Sequence, residues 1–241
     1  MRLADSTWTD VRDVEAELAL LPVGSTEQHG PHAPLGLDSI TAEAIASGAA
    51  DRYISDRDVE VLVGPTVPVG VAAEHRRFDG TLWVSEDTFR AYVRETIESL
   101  ASHGIERVVA VNGHGGNVDA LCELCGELSR SGEVYAVQYT WFDAVSFEKL
   151  GHAGPAETSM IRRLRPELIR EERTEAAAEG AAEGWGEWVS GTNLAYDSDS
   201  FTDSGVVGDP REGDAELGEK LLTEATESLV TLLDAVADRS D

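Results

Sequence analysis

The sequence predicts an α/β fold with a mostly parallel sheet that carries helices on both faces. Short runs of aliphatic and β-branched residues alternate along the chain with longer segments whose apolar residues recur at helical spacing. Strands that alternate with helices in this way form parallel sheets. The 241 residues could make one domain or two small ones, and they can bury a sizeable core without disulfides or a structural metal.

Four strands are predicted, at residues 19–23, 59–64, 107–111 and 134–139. The third is almost continuously apolar, as expected for a strand buried on both faces. Five helices are predicted, over 40–53, 85–104, 117–128, from after residue 159 to 164, and over 217–236. Ser85 opens the second of them and Gly104 ends it, and Asn117 is the predicted cap of the third. Residues 174–204 are poor in aliphatics and are predicted to form a long surface loop, mobile or at an interface.

The composition is strongly acidic, with 46 Asp and Glu against 19 Lys and Arg and a formal net charge of -27. Such a charge repels nucleic acid and anionic membranes, so neither is an expected partner. It resembles the solvated surface of a halophilic protein and predicts a higher melting temperature in molar KCl than in dilute buffer. No leader peptide and no apolar run of about 20 residues is visible, which favours a cytoplasmic protein.

A first cluster of potential metal ligands follows the first predicted strand. Glu27, His29 and Asp38 offer two carboxylates and an imidazole, which suit Zn, Mn or Fe. The spacing of Glu27 and His29 directs both side chains to one side only in an extended backbone, and the surrounding Gly and Pro residues favour such a loop. Two other interpretations stay open: His29 and His32 are surface histidines, and Asp38 or Ser39 only caps the following helix.

A second cluster follows the third predicted strand, where His114 stands in a glycine-rich turn at residues 112–117. Such a turn either cradles an anion on its backbone N–H groups or presents the histidine as a ligand. Because sites in parallel sheets form beyond the carboxyl ends of the strands, the fold can bring His114 to the first cluster.

Two further segments contain candidate substrate contacts. His75 lies in a mixed-charge loop and either reaches the substrate or stays on the surface, and Arg76 and Arg77 are candidates for binding a phosphate. In the 174–204 loop, Trp185 and Trp188 either close over a substrate or pack against a neighbouring subunit.

Four motifs together resemble the creatininase family. They are Gly-Ser-Thr-Glu-Gln-His-Gly-Pro-His at 24–32, Asp38, Asn-Gly-His-Gly-Gly-Asn at 112–117, and His-Ala-Gly with Glu-Thr-Ser at 152–159. The resemblance covers about residues 19 to 210. It implies a single three-layer αβα amidohydrolase domain over 1–241, two divalent ions of Zn, Mn or Fe per chain, and a homo-oligomer, often a hexamer.

The resemblance also implies roles for individual residues. Asp38 would bridge the two ions, Glu27 and His114 would complete one site, and His29 would belong to the other. Gly116 stands where creatininase itself has a glutamate ligand, so Glu157 or water would supply that ligand. His152 and Glu157 are the predicted catalytic residues, with His152 protonating the departing nitrogen. The predicted substrate contacts are His75 and the Gly115–Gly116 turn, and either the metal or the backbone N–H groups of that turn would hold the oxyanion.

The leading hypothesis is therefore metal-dependent hydrolysis of a non-peptide carbon–nitrogen bond in a small molecule. The resemblance leaves two related activities open, a deformylase acting on a formylaminopyrimidine nucleotide in archaeal flavin and deazaflavin synthesis and a peptidase that trims a cofactor-precursor peptide. A different class of function is a metal- or nucleotide-binding module without turnover, in which the glycine-rich turn holds an anion.

Overall fold

The structure is a computed structural model and describes residues 1–239. Its central sheet has four parallel strands in the order β2-β1-β3-β4. Their bounds are β1 Leu18–Val23, β2 Val61–Val63, β3 Arg107–Asn112 and β4 Tyr135–Thr140. All four predicted strands are confirmed, and so is the α/β class with its parallel sheet.

Seven α-helices occur in the described part of the chain. They are α1 Trp8–Arg12, α2 Leu37–Arg57, α3 Glu86–Ala101, α4 Val118–Ser131, α5 Pro155–Leu164, α6 Thr174–Glu179 and α7 Ala215–Ala237. The five predicted helices correspond to α2, α3, α4, α5 and α7. Among residues 1–239, no helix is long and apolar enough to cross a membrane.

The helices form two layers, one on each face of the sheet. Strand side chains alternate between the faces, so Leu20 and Val109 point to one layer and Leu21 and Val108 to the other. The first layer is built by α2, α5 and α7, and the second by α3 and α4. Each large aliphatic side chain buried in these layers contributes about 1.5 to 3 kcal/mol by leaving water.

The predicted cap of α2 is wrong, and the predicted cap of α4 is confirmed in position only. The N-cap of α2 is Gly36, so Asp38 lies inside the first turn and its side chain does not cap the helix. Asn117 holds the N-cap position of α4 but makes no capping hydrogen bond. Its amide instead donates to Gly24 O (3.0 Å) and accepts from Val71 N (2.9 Å), and so ties together the segments that follow β1 and β2. Neither side chain therefore caps its helix, and both lie at the carboxyl-terminal edge of the sheet.

The predicted loop at 174–204 contains more regular structure than expected. It begins with α6 and includes a two-stranded antiparallel hairpin, β5 Trp188–Val189 and β6 Thr192–Asn193. Elements of one or two turns carry too few apolar residues to show periodicity, which is why the sequence pattern missed them. The segment returns to the body at Val207, which pairs with His152 and Ala182.

Candidate metal centre

Six titratable side chains meet at the carboxyl-terminal edge of the sheet, all of them buried. Glu27 and His29 follow β1, Asp38 lies in the first turn of α2, and His114 follows β3. His152 and Glu157 come from the loop before α5 and from its first turn. The interpretation of His29 and His32 as surface histidines is wrong, because their exposed fractions are 0% and 1%.

The loop that carries Glu27 and His29 is extended, as its spacing predicts. Thr26 forms an antiparallel bridge with Leu82, and Glu27 N donates to Leu35 O (2.9 Å). The imidazole Nδ1 of His29 lies 3.1 Å from Glu27 O. A carbonyl can only accept, so Nδ1 carries a proton, and Nε2 faces Asp38 Oδ1 (3.1 Å) and Glu157 Oε2 (3.9 Å).

His114 is held in the same manner from the other side. Asn112 clamps its backbone by accepting from His114 N (3.1 Å) and donating to His114 O (2.8 Å). The ring Nε2 donates to Val71 O (2.8 Å), which leaves the lone pair on Nδ1. That atom faces Glu27 Oε2 (3.1 Å) and Asp38 Oδ2 (3.5 Å).

Asp38 stands between two overlapping groups of potential ligands. One group is Glu27, Asp38 and His114, and the other is His29, Asp38 and Glu157; within each group the ligand atoms lie within 4.8 Å of one another. A third group joins Glu27, His29 and His152. The structure thus brings together all five residues that the sequence analysis selected as metal ligands, with Asp38 shared.

The unmet bonding capacity of these groups fits cations. Both oxygens of Glu27 and Oδ2 of Asp38 are buried and have no hydrogen-bond partner among the described residues. Two histidine lone pairs point at the same carboxylates, an arrangement that is repulsive unless a proton or a metal ion lies between them. The other nitrogen of each histidine donates to a backbone carbonyl, which is the usual support of a metal-binding imidazole.

The pKa values of the cluster have the same origin. Burial acts to lower the pKa of His114, but the nearby Glu27, Asp38 and Glu74 raise it to about 10. Burial also acts to lower the pKa of His29, but the nearby Asp38, Glu157 and Glu27 raise it to about 9. Burial raises the pKa of Glu157 to about 7. The cluster therefore retains positive charge, as protons when no metal is bound.

Gly116 cannot supply the ligand that creatininase has at this position. A Cβ built there would lie 2.2 Å from Val71 O and 2.5 Å from His114 Nε2, so no side chain fits. Glu157 instead lies in the cluster with its Oε2 3.9 Å from His29 Nε2, and Ala153 N donates to that oxygen (2.5 Å). It belongs to the His29–Asp38 group, and its role as a metal ligand stays a prediction.

The two remaining histidines stack on each other behind the ligands. The rings of His75 and His152 are 4.3 Å apart, and His29 stacks on His152 at 4.7 Å. His75 is 1% exposed, so its interpretation as a surface residue is wrong. Burial lowers the pKa of His75 to about 4 and that of His152 well below its ordinary value. Both imidazoles are therefore neutral at neutral pH.

A cavity of about 1190 Å³ opens in front of the cluster. The predicted substrate contacts His75, Gly115 and Gly116 line it, together with His152 and Glu157. Trp185 forms part of its wall, with its ring 5.5 Å from that of His75 and 6.0 Å from that of His152. Trp188 lies outside on the hairpin, where it is 59% exposed.

Arg76 and Arg77 do not reach the cavity. Both are exposed, and they extend toward Asp197, with N–O distances of 2.7 Å and 4.0 Å. Among the described residues, no arginine lines the cavity.

Two functional-site residues were missed by sequence reasoning. Glu74 lines the cavity with its Oε1 3.6 Å from His114 Nε2, and Gln28 contacts both His75 and His152. The alternation of an extended loop offered a signal for Gln28, since it points away from Glu27 and His29, whereas nothing in the local sequence pattern marks Glu74.

The sequence as a whole matches one family. The Creatininase family, described as creatinine amidohydrolase, matches residues 4–233. The mycofactocin precursor peptide peptidase of Mycolicibacterium smegmatis is 33% identical over 208 residues, which are 86% of this chain and 80% of that protein. The creatinine amidohydrolase of Pseudomonas putida is 28% identical over 198 residues, 69% of this chain and 73% of the relative.

Solved structures share the fold over the full length. A Bacteroides fragilis protein assigned to the creatinine amidohydrolases superposes with a TM-score of 0.86 at 26% identity and covers 100% of this chain and 97% of its own. A creatininase structure superposes with a TM-score of 0.80 at 22% identity, over 97% of each chain.

Proposed function

Because the chain belongs to the creatininase family, we propose that it hydrolyses an amide-type carbon–nitrogen bond with the help of two divalent metal ions. One observation carries the proposal: Asp38 is shared by two groups of buried ligands, and its Oδ2 and both oxygens of Glu27 have no hydrogen-bond partner among the described residues. The solved creatininases with manganese and with a zinc pair support the choice of metal.

The residues of this chain would divide the work between them. Glu27, Asp38 and His114 would hold one ion, and His29, Asp38 and Glu157 the other. A bound divalent ion lowers the pKa of a coordinated water from 15.7 toward about 7. His152, with its Nδ1 lone pair toward the cluster, would take a proton from the attacking water and pass it to the departing nitrogen. Backbone N–H groups of the Gly115–Gly116 turn would hold the developing oxyanion.

A peptide substrate is favoured by the size of the cavity. A volume of about 1190 Å³ exceeds the about 300 to 1,000 Å³ typical of small-molecule sites and leaves most of the space unfilled by a ring as small as creatinine. The relatives with 31 to 33% identity are peptidases that act on a mycofactocin precursor peptide. We therefore place peptide hydrolysis beside hydrolysis of a cyclic or simple amide as the second candidate.

A phosphorylated substrate has less support. The deformylase alternative needs a cationic receptor for a nucleotide phosphate, and Arg76 and Arg77 are paired with Asp197 outside the cavity. Among the described residues that line the cavity, Lys149 is the one lysine and is paired with Glu212 (2.8 Å), and Glu74 adds a carboxylate close to the metal ligands. Neutral or cationic substrates fit this lining better.

Metal analysis combined with hydrolysis assays tests the proposal. The protein is reconstituted with Zn²⁺ or Mn²⁺ in high salt and assayed on creatinine, on a panel of short peptides and on a formylaminopyrimidine nucleotide. About two ions per chain and turnover of a peptide or amide are expected. Absence of metal uptake would contradict the proposal and favour a binding module that holds phosphate without metal.

Two further proposals concern the whole protein. Apolar side chains exposed on and near the hairpin, Trp188, Val189, Leu194 and Tyr196, support assembly into a homo-oligomer, the hexamer implied by the family resemblance. The net charge of -27 supports a salt-adapted protein. Light scattering in molar KCl would test both, since a monomer that precipitates in salt would contradict them.

A further inference from the structure

The side-chain amide of Gln28 is fixed from both ends by backbone groups. Its Oε1 accepts from Gly30 N (2.9 Å), and its Nε2 donates to Gly205 O (2.8 Å). A backbone N–H can only donate and a carbonyl can only accept, so the amide has a single possible orientation. In that orientation one N–H of Nε2 is donated to Gly205 O, and the other N–H needs a second acceptor.

Gly205 makes the room that this amide needs. It has φ +79°, and a Cβ built there would lie 2.0 Å from Gln28 Oε1. Both the close approach and the left-handed backbone require glycine. The chain segment that follows the hairpin is thus shaped to the glutamine side chain.

The tautomer of His152 follows from the backbone of the same residue. Its Nε2 lies 2.8 Å from Gln28 O and 2.9 Å from Gln28 Nε2. The carbonyl can only accept, whereas the Gln28 amide has a second acceptor in reach, so we place the proton of the neutral ring on Nε2. The lone pair is then on Nδ1, which faces Glu27 Oε1 (3.8 Å) and Glu157 Oε2 (4.0 Å). His152 therefore turns an acceptor toward the ligand cluster.

The tautomer of His75 follows from the proton that remains. Because His152 Nε2 already carries a proton, the second N–H of Gln28 has His75 Nδ1 as its acceptor, at 2.9 Å. The hydroxyl of Ser198 lies 2.9 Å from the same nitrogen and 3.0 Å from Glu74 O, and its single proton goes to one of these two acceptors. The proton of His75 is then on Nε2, which lies 3.4 Å from Glu27 Oε1 without forming a hydrogen bond to it.

We propose that Gln28 is a positioning residue that holds His75 and His152 in the same tautomer, with the proton on Nε2. The two rings are oriented oppositely, because His75 turns Nε2 toward the ligand cluster and His152 turns Nδ1 toward it. His152 presents a lone pair to the cluster, where a water proton can be accepted, and His75 turns an N–H toward the same cluster, 3.4 Å from Glu27 Oε1. Both oxygens of Glu27 are left without a hydrogen-bond partner among the described residues, and so remain for an ion. The assignment of tautomers stands on geometry alone, whereas its catalytic use rests on the proposed hydrolase function.

The tautomers are measured directly by nitrogen-15 NMR of histidine-labelled, metal-free protein at neutral pH, with signals assigned by single His→Asn variants. The sequence has only six histidines, so the spectrum is simple. We expect His75 and His152 both to be protonated at Nε2. Protonation of His75 at Nδ1, or of His152 at Nδ1, overturns the proposal. The result does not depend on whether hydrolysis is found.

A matched pair of variants tests the role of the amide. Gln28→Met removes the hydrogen bonds at similar volume, and Gln138→Met changes the only other glutamine, half-buried on β4. Gln28→Met should mix the His75 tautomers and weaken Co²⁺ binding, followed by its visible absorption, by about 10- to 100-fold. Gln138→Met should change neither.

Retention of both tautomers and of Co²⁺ affinity in Gln28→Met would overturn the role of Gln28. If that variant does not fold, the wild-type tautomers still decide the proposal. If the wild type binds no Co²⁺, the proposed metal centre fails while the tautomer assignment is judged on its own.

Discussion

The two halves of the candidate site are built in different ways. The first, here the strand half, consists of Glu27, His29, Asp38 and His114, which follow β1 and β3 or lie in the first turn of α2. The second, the loop half, consists of His152, Glu157 and Trp185, which lie beyond β4. Exposure rises from at most 4% in the strand half to 37% at Trp185.

This difference in attachment predicts which half holds the metal and which half acts on the substrate. The strand half is attached to parallel strands with six paired residues each and is braced by Asn112 and Asn117, so its geometry is fixed before any ligand binds. The loop half is attached through isolated bridges such as His152–Val207. We expect changes in the strand half to remove metal and changes in the loop half to alter turnover or substrate binding with metal retained.

The largest effect is expected in the strand half, at Asp38. Asp38→Ala removes the carboxylate shared by both ligand groups and leaves His29 and His114 without their common partner. Both metal occupancy and activity should be lost. Elemental analysis beside circular dichroism checks this, and a folded variant with two ions per chain would remove Asp38 from its role as a bridge.

In the loop half, His152→Gln should separate metal binding from turnover. The variant keeps Glu27, Asp38 and His114 intact, so the ions stay, while loss of the proton-transferring group slows turnover by about 10²- to 10⁴-fold. Steady-state kinetics with metal analysis checks the split. An unchanged turnover rate would mean that His152 has only a structural role. Loss of both ions would mean that it is needed for metal binding, like the residues of the strand half.

The strand half should also make the metal-free protein sensitive to pH. The folded pKa values of His29 and His114 are about 9 and about 10, above the ordinary value near 6.5. The stability they provide is complete below about pH 6.5 and is lost as the pH rises through about 9 to 10.

Divalent ions displace the same protons, so metal affinity should rise with pH, by up to about tenfold per unit for each proton released. Thermal unfolding of chelator-treated and Zn²⁺-loaded protein at pH 6.5 and 9 measures both effects. A metal-free protein that is more stable at pH 9 than at pH 6.5 would contradict the charged state assigned to the cluster.

The smallest effect is expected at the exposed end of the loop half. Trp185→Ala removes an aromatic wall of the cavity and should raise KM by about 2- to 12-fold, the equivalent of one aromatic contact, with little change in kcat. Trp188→Ala, outside the cavity, is the matched control. Equal KM values for wild type and Trp185→Ala would place substrate elsewhere in the cavity.

Sequence reasoning predicted the strand half better than the loop half, for a physical reason. Glu27, His29 and His114 follow strands directly, and the ends of parallel strands must meet, so hydrophobic pattern alone brings them together. The metal roles themselves came from the family resemblance and stay predictions. The position of Asp38 was foreseen, but its interpretation as a helix cap was wrong, because α2 begins at Leu37, directly after its N-cap Gly36, and Asp38 is the second residue of the helix.

The loop half depends on the route of the chain after α6, which local sequence patterns do not predict. The segment from α6 through the hairpin returns to pair with His152, and that return places Trp185 against the stacked histidines. Glu74 and Gln28 acquire their contacts the same way, from residues more than 35 positions distant. Periodicity reports which face of an element is buried but not which distant segment covers it.

Anomalous diffraction from crystals of the Zn²⁺-loaded protein tests the shared position of Asp38 most directly. We predict two peaks beside its carboxylate, one next to Glu27 and His114 and the other next to His29 and Glu157. A single peak, or two peaks that Asp38 does not join, would contradict the dinuclear centre on which the account depends.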